Sequence, residues 1–247
     1  MKVYIVSDSH FGLEIEKHPD SLRRRLFFEF LDEIKKDCDV LVLLGDIFDF
    51  WFEYQHVIPS EYFDVLKAIS EFSNSHKVVF VGGNHDMWAN GFIESLGIEV
   101  YPCEFELEIN GKRVFLAHGD VLRKTDLGGR LTRLIMGNRV SKFLYRILHP
   151  DLGVALAKFV SRQSRVRSLR QELKNPVNPT IFEILKEGYD AVVHGHIHYP
   201  YLQRFDEGIF MSTGDWLWHF TYGIIDEAGI SLAHFKENKR VSISWIE

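Results

Sequence analysis

Val40-Leu41-Val42-Leu43-Leu44-Gly45-Asp46-Ile47-Phe48-Asp49 is the stretch on which the reading of this chain turns. Five consecutive apolar, partly β-branched residues describe a strand buried on both faces, and the glycine after them delivers an aspartate to the edge of a sheet. The pattern recurs along the chain. Val3 to Ser7 leads into Asp8-Ser9-His10, Val78 to Val81 into Gly83-Asn84-His85-Asp86, Val114 to Ala117 into His118-Gly119-Asp120, and Ala191 to Val193 into Gly195-His196-Ile197-His198. Every one of these segments ends in side chains that ligate metals.

Those five runs are expected to form one inner sheet. Helical spacing links the first three: Leu22, Leu26, Phe30 and Ile34 mark a helix over Ser21 to Lys36, and Pro59-Ser60 opens another that runs to Phe72. After His198 come short strands broken by turn signals, at Tyr201 to Phe205, Ile209 to Ser212, Phe220 to Ile225, Ile230 to Phe235 and Val241 to Trp245. They predict a second, antiparallel sheet. The expected fold is α/β, a two-sheet β-sandwich flanked by helices, as one domain over residues 1–247. A helical cap insertion interrupts it at about residues 124–177, where Leu131, Leu134, Ile135, Val140, Phe143, Leu144, Ile147 and Leu148 follow helical spacing up to the break at His149-Pro150.

With 247 residues and 46% hydrophobic content the chain can bury a full core. No apolar run approaches the roughly 20 residues that span a bilayer, and Met1 leads directly into a strand, so a cytoplasmic protein is expected. Cys38 and Cys103 offer neither a disulfide framework nor a thiolate cluster. Net charge is −6, unevenly spread: Arg123 to Lys174 carries 13 Lys and Arg against the acids Asp126, Asp151 and Glu172. A basic, apolar insert over a catalytic edge reads as a substrate-choosing cap.

Phosphoryl transfer requires charge neutralisation at phosphorus and a nucleophile available at neutral pH, and two divalent ions supply both. A close pair of ions needs a bridging carboxylate and mixed nitrogen and oxygen ligands. Asp46, at the end of the central strand, is assigned as the bridge; Asp8, His10 and His198 complete the first ion's set, and Asn84, His118 and His196 the second's. His196 and His198 serve different ions only if the backbone turns there, which Gly195 permits. His85 is left to stabilise or protonate the leaving oxygen, beside the ligand Asn84. Asp86, Asp120 and Asp49 are expected to orient imidazoles from behind. The remaining histidines, His219 among them, read as surface or core residues, His194 as structural, and the tryptophans as core.

Taken together, D-x-H, G-D-x-x-D, G-N-H-D, H and G-H-x-H over essentially the whole chain resemble the calcineurin-like metallophosphoesterases. The resemblance implies a β-sandwich with a dinuclear centre, of manganese or else iron, zinc or cobalt. Within that group, Gly45-Asp46-Ile47-Phe48-Asp49-Phe50-Trp51, Ala117-His118-Gly119-Asp120 followed by Asp126, His194-Gly195-His196-Ile197-His198-Tyr199-Pro200 and the helical insert are similar to the UDP-2,3-diacylglucosamine hydrolases. That likeness implies cleavage of a nucleotide-linked glycolipid to UMP and a lipid monophosphate in lipid A biosynthesis, with peripheral contact to the inner membrane. It implies acyl chains on the apolar helices, Asp126 at the glucosamine, and Arg123, Lys124, Arg162, Arg165 and Arg167 at phosphates or an anionic surface. Two positions depart: enterobacterial members carry Arg at the position of His85 and an aromatic where Gly129 stands. The same motifs also suit a related metallophosphodiesterase or a nuclease, although the insert's basic residues lack the aromatics that stack bases and no stable nucleic-acid partner is expected. A non-catalytic binding module on the same fold is the third reading.

Overall fold

The buried apolar runs pair side by side because each has two faces to cover, and the chain supplies two sheets to cover them. A computed structural model describes residues 1–120, 122, 137–158, 176–237 and 239–245. In chain order the elements up to the insert are β1 (Val3–Val6), α1 (Asp20–Ile34), β2 (Val40–Leu44), α2 (Phe63–Ser73), β3 (Lys77–Val81), α3 (Gly91–Ser95), β4 (Glu99–Tyr101), β5 (Glu104–Ile109) and β6 (Lys112–Ala117). From the insert onward they are α4 (Arg139–Ile147), α5 (150–158), α6 (Pro179–Lys186), β7 (Ala191–His194), β8 (Pro200–Phe205), β9 (Gly208–Thr213), β10 (Thr221–Ile225), β11 (Gly229–His234) and β12 (Lys239–Ser244).

The strands divide differently from the expectation of one inner and one late sheet. The first sheet runs β12-β11-β10-β1-β2-β3-β4, and the second β5-β6-β7-β9-β8. β1 to β4 pair in parallel, as do β6, β7 and β9, while β10 to β12 extend the first sheet antiparallel through β1. Hydrophobic runs announce that a strand is buried; they do not say which neighbour it joins. The hydrophobic pattern does not display β4 or β5, because Glu99, Glu104, Glu106 and Glu108 interrupt their apolar character. Nor does it display α6, although Asn178 accepts from the Thr180 N–H and Pro179 opens the helix.

Alternation along each strand sorts the core into layers. Val3, Ile5, Val42, Leu44 and Val79 face Leu107, Val114, Leu116, Val193 and Met211 between the sheets. Tyr4, Leu41, Leu43 and Phe80 face outward against Phe27, Phe30 and Ile34 of α1 and Leu66 and Ile69 of α2. On the far side Phe115, Val192 and Phe210 pack under Ile181, Ile184 and Leu185 of α6. The result is helices, sheet, sheet, helix. Because β1, β2, β3, β6, β7 and β9 all point one way within their sheets, their C-terminal ends deliver six loops to one edge.

The tightest of those loops begins at Gly45, whose φ is +82° and whose Cα faces His118. An added methyl would meet His118 Nδ1 at 2.6 Å and the Gly83 nitrogen at 2.8 Å. Left-handed strain at a non-glycine residue costs of the order of 1–3 kcal/mol, and each 1 kcal/mol moves Tm by about 2–4 °C in a domain of this size. Gly45→Ala is therefore expected to lower Tm by about 4 °C or more in thermal unfolding followed by circular dichroism. Gly91→Ala, whose methyl meets nothing within 4 Å, should not lower it; equal losses in the two variants would contradict this account.

Candidate metal centre

Three of the loops at the shared edge, those after β1, β2 and β7, turn sharply to aim their side chains inward, and the turn is made by the candidate residue itself. Asp8, His10, Asp46, His196 and His198 all have positive φ, between 42° and 67°. Non-glycine residues hold that conformation only where their surroundings impose it. The turn expected of Gly195 thus lies in His196 and His198. Gly195 is needed for a different reason: a side chain there would collide with Ser7 and the Asp8 carboxylate.

Three overlapping groups of donor atoms result, each within 4.8 Å: Asp8, His10 and His198; His10, Asp46 and His85; and Asp46, His118 and His196. Asp46 belongs to the second and third groups, and His10 links the second to the first. Its Oδ2 stands 3.3 Å from His118 Nε2, 3.7 Å from His10 Nε2 and 3.9 Å from His85 Nε2, while Oδ1 accepts from the His85 backbone N–H at 2.8 Å. Asp8 Oδ1 is 3.5 Å from His198 Nε2, and Oδ2 accepts from the His196 N–H at 2.9 Å. Asn84 sits between Gly83 and His85 on the β3 loop, with Oδ1 buried and without a hydrogen-bond partner.

Backbone carbonyls select which ring nitrogen faces the centre. His118 Nδ1 is 3.0 Å from the Leu44 oxygen and His85 Nδ1 is 2.6 Å from the Asp49 oxygen. A carbonyl only accepts, so both Nδ1 atoms donate and both Nε2 atoms point inward. Burial alone would raise the Asp46 carboxyl, but the charges of His118 and then His85 outweigh it and hold it well below the usual range. For His118, burial favours the neutral ring, yet Asp46 and Asp8 push it up to about 10. Burial raises the Asp8 carboxyl. This is an electronegative, desolvated pocket of mixed nitrogen and oxygen donors, and such a set fits divalent ions of intermediate softness.

Asp86 does something other than orient an imidazole. Its carboxylate accepts from the backbone N–H groups of Gly83 at 2.8 Å, Ile47 at 2.7 Å and Asp46 at 3.1 Å, tying the β2 and β3 loops together. Burial and then the charge of Asp46 raise it to about 6. Asp49 does lie behind imidazoles, with Oδ1 3.8 Å from His10 Nδ1 and 3.9 Å from His85 Nδ1.

Two residues of this region were not singled out by sequence. Asp215, after β9, is buried with Oδ2 3.4 Å from His198 Nδ1 and Oδ1 3.3 Å from His219 Nδ1. Burial would raise it, but the hydrogen bonds from His198 and His219 hold it below the usual carboxylate range. His219 is therefore more than a surface residue. The signal was present, since Gly214-Asp215 follows an apolar strand just as Gly45-Asp46 does. Arg23, fully buried on α1, donates to the carbonyls of Ser9, His10, Leu13 and His18 and so braces the β1 loop from behind. A charged residue within a helical pattern reads as solvated surface, which hid it.

The candidate substrate residues Arg123, Lys124, Asp126, Arg162 and Arg165 lie outside the described residues. Of the tryptophans, Trp51 and Trp216 are fully buried and Trp218 is exposed. Among the described residues no helix is long and apolar enough to cross a membrane.

Comparison with known proteins agrees with this geometry. Residues 1–200 match the family described as calcineurin-like phosphoesterase. A protein of Porphyromonas gingivalis named UDP-2,3-diacylglucosamine hydrolase is 29% identical over 96% of this chain and 98% of its own length. One of the same name from Pseudomonas putida is 27% identical over 95% and 99%. Among solved structures, a dimetal phosphatase from Danio rerio superposes with a TM-score of 0.53 at 12% identity, over 99% of this chain and 98% of that one. The E. coli phosphoesterase Yfce does so with a TM-score of 0.51 at 15% identity, over 99% of both. With the family matched across most of its length and the fold shared, the chain belongs to the calcineurin-like phosphoesterases, which are metal-dependent phosphoester hydrolases.

Proposed function

We propose that this protein hydrolyses the pyrophosphate of UDP-2,3-diacylglucosamine, releasing UMP and 2,3-diacylglucosamine 1-phosphate for lipid A biosynthesis. The observation that carries this reading is the full-length similarity, at 27–29% identity, to proteins named for that hydrolysis. Asp8, His10, Asp46 and His198 would hold one divalent ion, and Asp46, Asn84, His118 and His196 the other, with Mn2+ as the proposed metal. When bound, the ions neutralise charge on the phosphate oxygens and lower the pKa of water at the site.

The side chains themselves account for the rest. His85, less deeply buried than His10 or His118, keeps Nε2 toward the centre and donates a proton to the departing phosphate oxygen. Asp215 holds the His198 ring by its Nδ1, which leaves Nε2 as the ligand atom. The insert, residues 124–177, is a cap on a single domain. Val140, Phe143, Leu144 and Ile147 of α4 and Leu152 and Leu156 of α5 are 51–66% exposed, spaced to make one apolar face on each helix. That face receives the acyl chains of a glycolipid drawn from the cytoplasmic side of the inner membrane. Arg123, Lys124, Arg162 and Arg165 meet its phosphates and Asp126 its sugar.

Purified protein with Mn2+ should release UMP from UDP-2,3-diacylglucosamine, and His118→Ala should abolish the release. Turnover of simple aryl phosphodiesters without any action on the glycolipid would favour the related phosphodiesterase or nuclease instead. Metal binding carries a second signature. Because His118 is raised to about 10, its ring is protonated at neutral pH in the metal-free protein and an incoming ion must displace that proton. Calorimetric titration at about pH 8 in buffers of different ionisation enthalpy should show release of about one proton per chain, with affinity increasing as pH rises. Affinity independent of pH would count against His118 as a ligand. Asp215→Asn should weaken metal binding about 10- to 100-fold while leaving the far-ultraviolet circular dichroism unchanged; full-strength binding would remove Asp215 from the account.

A further inference from the structure

Of the nine residues of α4, only Tyr145 is buried. Its ring fills a cage of Phe50, Phe52 and Trp88, at centroid distances of 5.6, 4.6 and 5.2 Å. The walls of that cage belong to the metal loops. Phe50 and Phe52 stand one and three residues after Asp49, and Trp88 stands three residues after His85. The two loops also meet where the Trp51 N–H donates to the His85 carbonyl at 2.9 Å. Glu53 adds a second tie, its carboxylate accepting from Trp51 Nε1 at 3.2 Å, the Asn90 N–H at 2.8 Å and the Phe92 N–H at 3.0 Å.

The neighbouring helix closes the cage from above. On α5, Gly153 and Ala157 lie one turn apart, and Ala157 packs against the aromatic cluster. A methyl on Gly153 would meet the Tyr54 hydroxyl at 2.6 Å and the Tyr145 hydroxyl at 2.9 Å, so the backbone of α5 rests on the two buried hydroxyls. Lys158 and Glu61 form a further link between insert and core at 2.7 Å. The described part of the insert is thus pinned to the domain chiefly at the joint between the Asp49 loop and the His85 loop.

We propose that Tyr145 is a positioning residue: a plug through which the insert holds the Asp49 and His85 loops at the spacing that metal binding requires. A side chain at this joint senses both loops at once. Phe52 and Trp88 also touch each other, at 4.8 Å between centroids, and removing the Tyr145 ring leaves a void beside that contact, into which either loop can relax. Asp46 and Asn84 lie on opposite loops, which Asp86 still ties together, and their separation is then held by that tie alone and varies more widely. Seating of the insert and completion of the metal centre become one coupled event, an inference that rests on the dinuclear reading above.

Calorimetric titration of the metal-free protein with Mn2+ tests it. Tyr145→Ala should bind the weaker of two ions about 10-fold less tightly, an outer-residue effect on metal affinity, and Tyr145→Phe, which keeps the ring, should restore binding to within about twofold of the parent. Gly153→Ala, whose methyl would press on the Tyr145 hydroxyl and ring at 2.9 and 3.0 Å and so displace the plug from its cage, should weaken binding in the same direction. If the parent binds two ions and Tyr145→Ala matches it while folded by circular dichroism, the plug has no positioning role and only this inference falls. A parent that binds no metal would instead overturn the dinuclear reading together with everything built on it. A change in KM for the glycolipid with metal affinity untouched would overturn the coupling, since it would make Tyr145 a grip on substrate alone.

Discussion

The Asp46 carboxylate is the charge around which the rest of the edge is arranged. One oxygen is fixed by the His85 N–H, and the other faces the imidazoles of His118, His10 and His85. An isolated carboxylate at that depth would be strongly disfavoured and would take up a proton. Cationic company is therefore what keeps that carboxylate charged. In the metal-free protein the protonated His118 ring supplies it; divalent ions would supply more and would free that ring to act as a ligand.

Geometry at the edge follows from the same demand. Parallel strands in both sheets end together, so residues 8 and 198, nearly the whole chain apart, come within 3.5 Å. Their side chains converge because Asp8, His10, Asp46, His196 and His198 accept left-handed backbone, at a cost of the order of 1–3 kcal/mol each. Hydrogen bonds across the loops hold those turns: Asp8 N–H to the Gly45 carbonyl at 3.0 Å, His10 N–H to the Asp46 carbonyl at 2.9 Å, and the three bonds to Asp86. Strain at the site is thus supported by the frame of the sandwich, with Arg23 as its buried brace.

Much of this was legible in the residues. Short, fully apolar runs ending in Asp, Asn or His mark buried parallel strands with functional C-terminal ends, and β2 lies over the residues its hydrophobicity predicts. Sheet membership was not legible, because burial on both faces looks alike in either sheet. That gap had a consequence. Ile209 to Ser212 read as part of a late antiparallel sheet, and so Asp215 at its end was passed over, although β9 runs parallel to β7 and delivers it beside His198. Arg23 and Asp86 were hidden differently: one looked like helix surface, the other like an imidazole's partner, whereas each serves backbone groups that no pattern of side chains displays.

In the proposed centre a shared carboxylate, that of Asp46, would join two ions at this edge. Crystals grown with Mn2+ and measured near the manganese absorption edge test it most directly through anomalous scattering. The account predicts two peaks about 3.5–4 Å apart, one on either side of Asp46, the first among Asp8, His10 and His198 and the second among Asn84, His118 and His196. A single peak, or two with Asp46 outside the coordination of either, would contradict it.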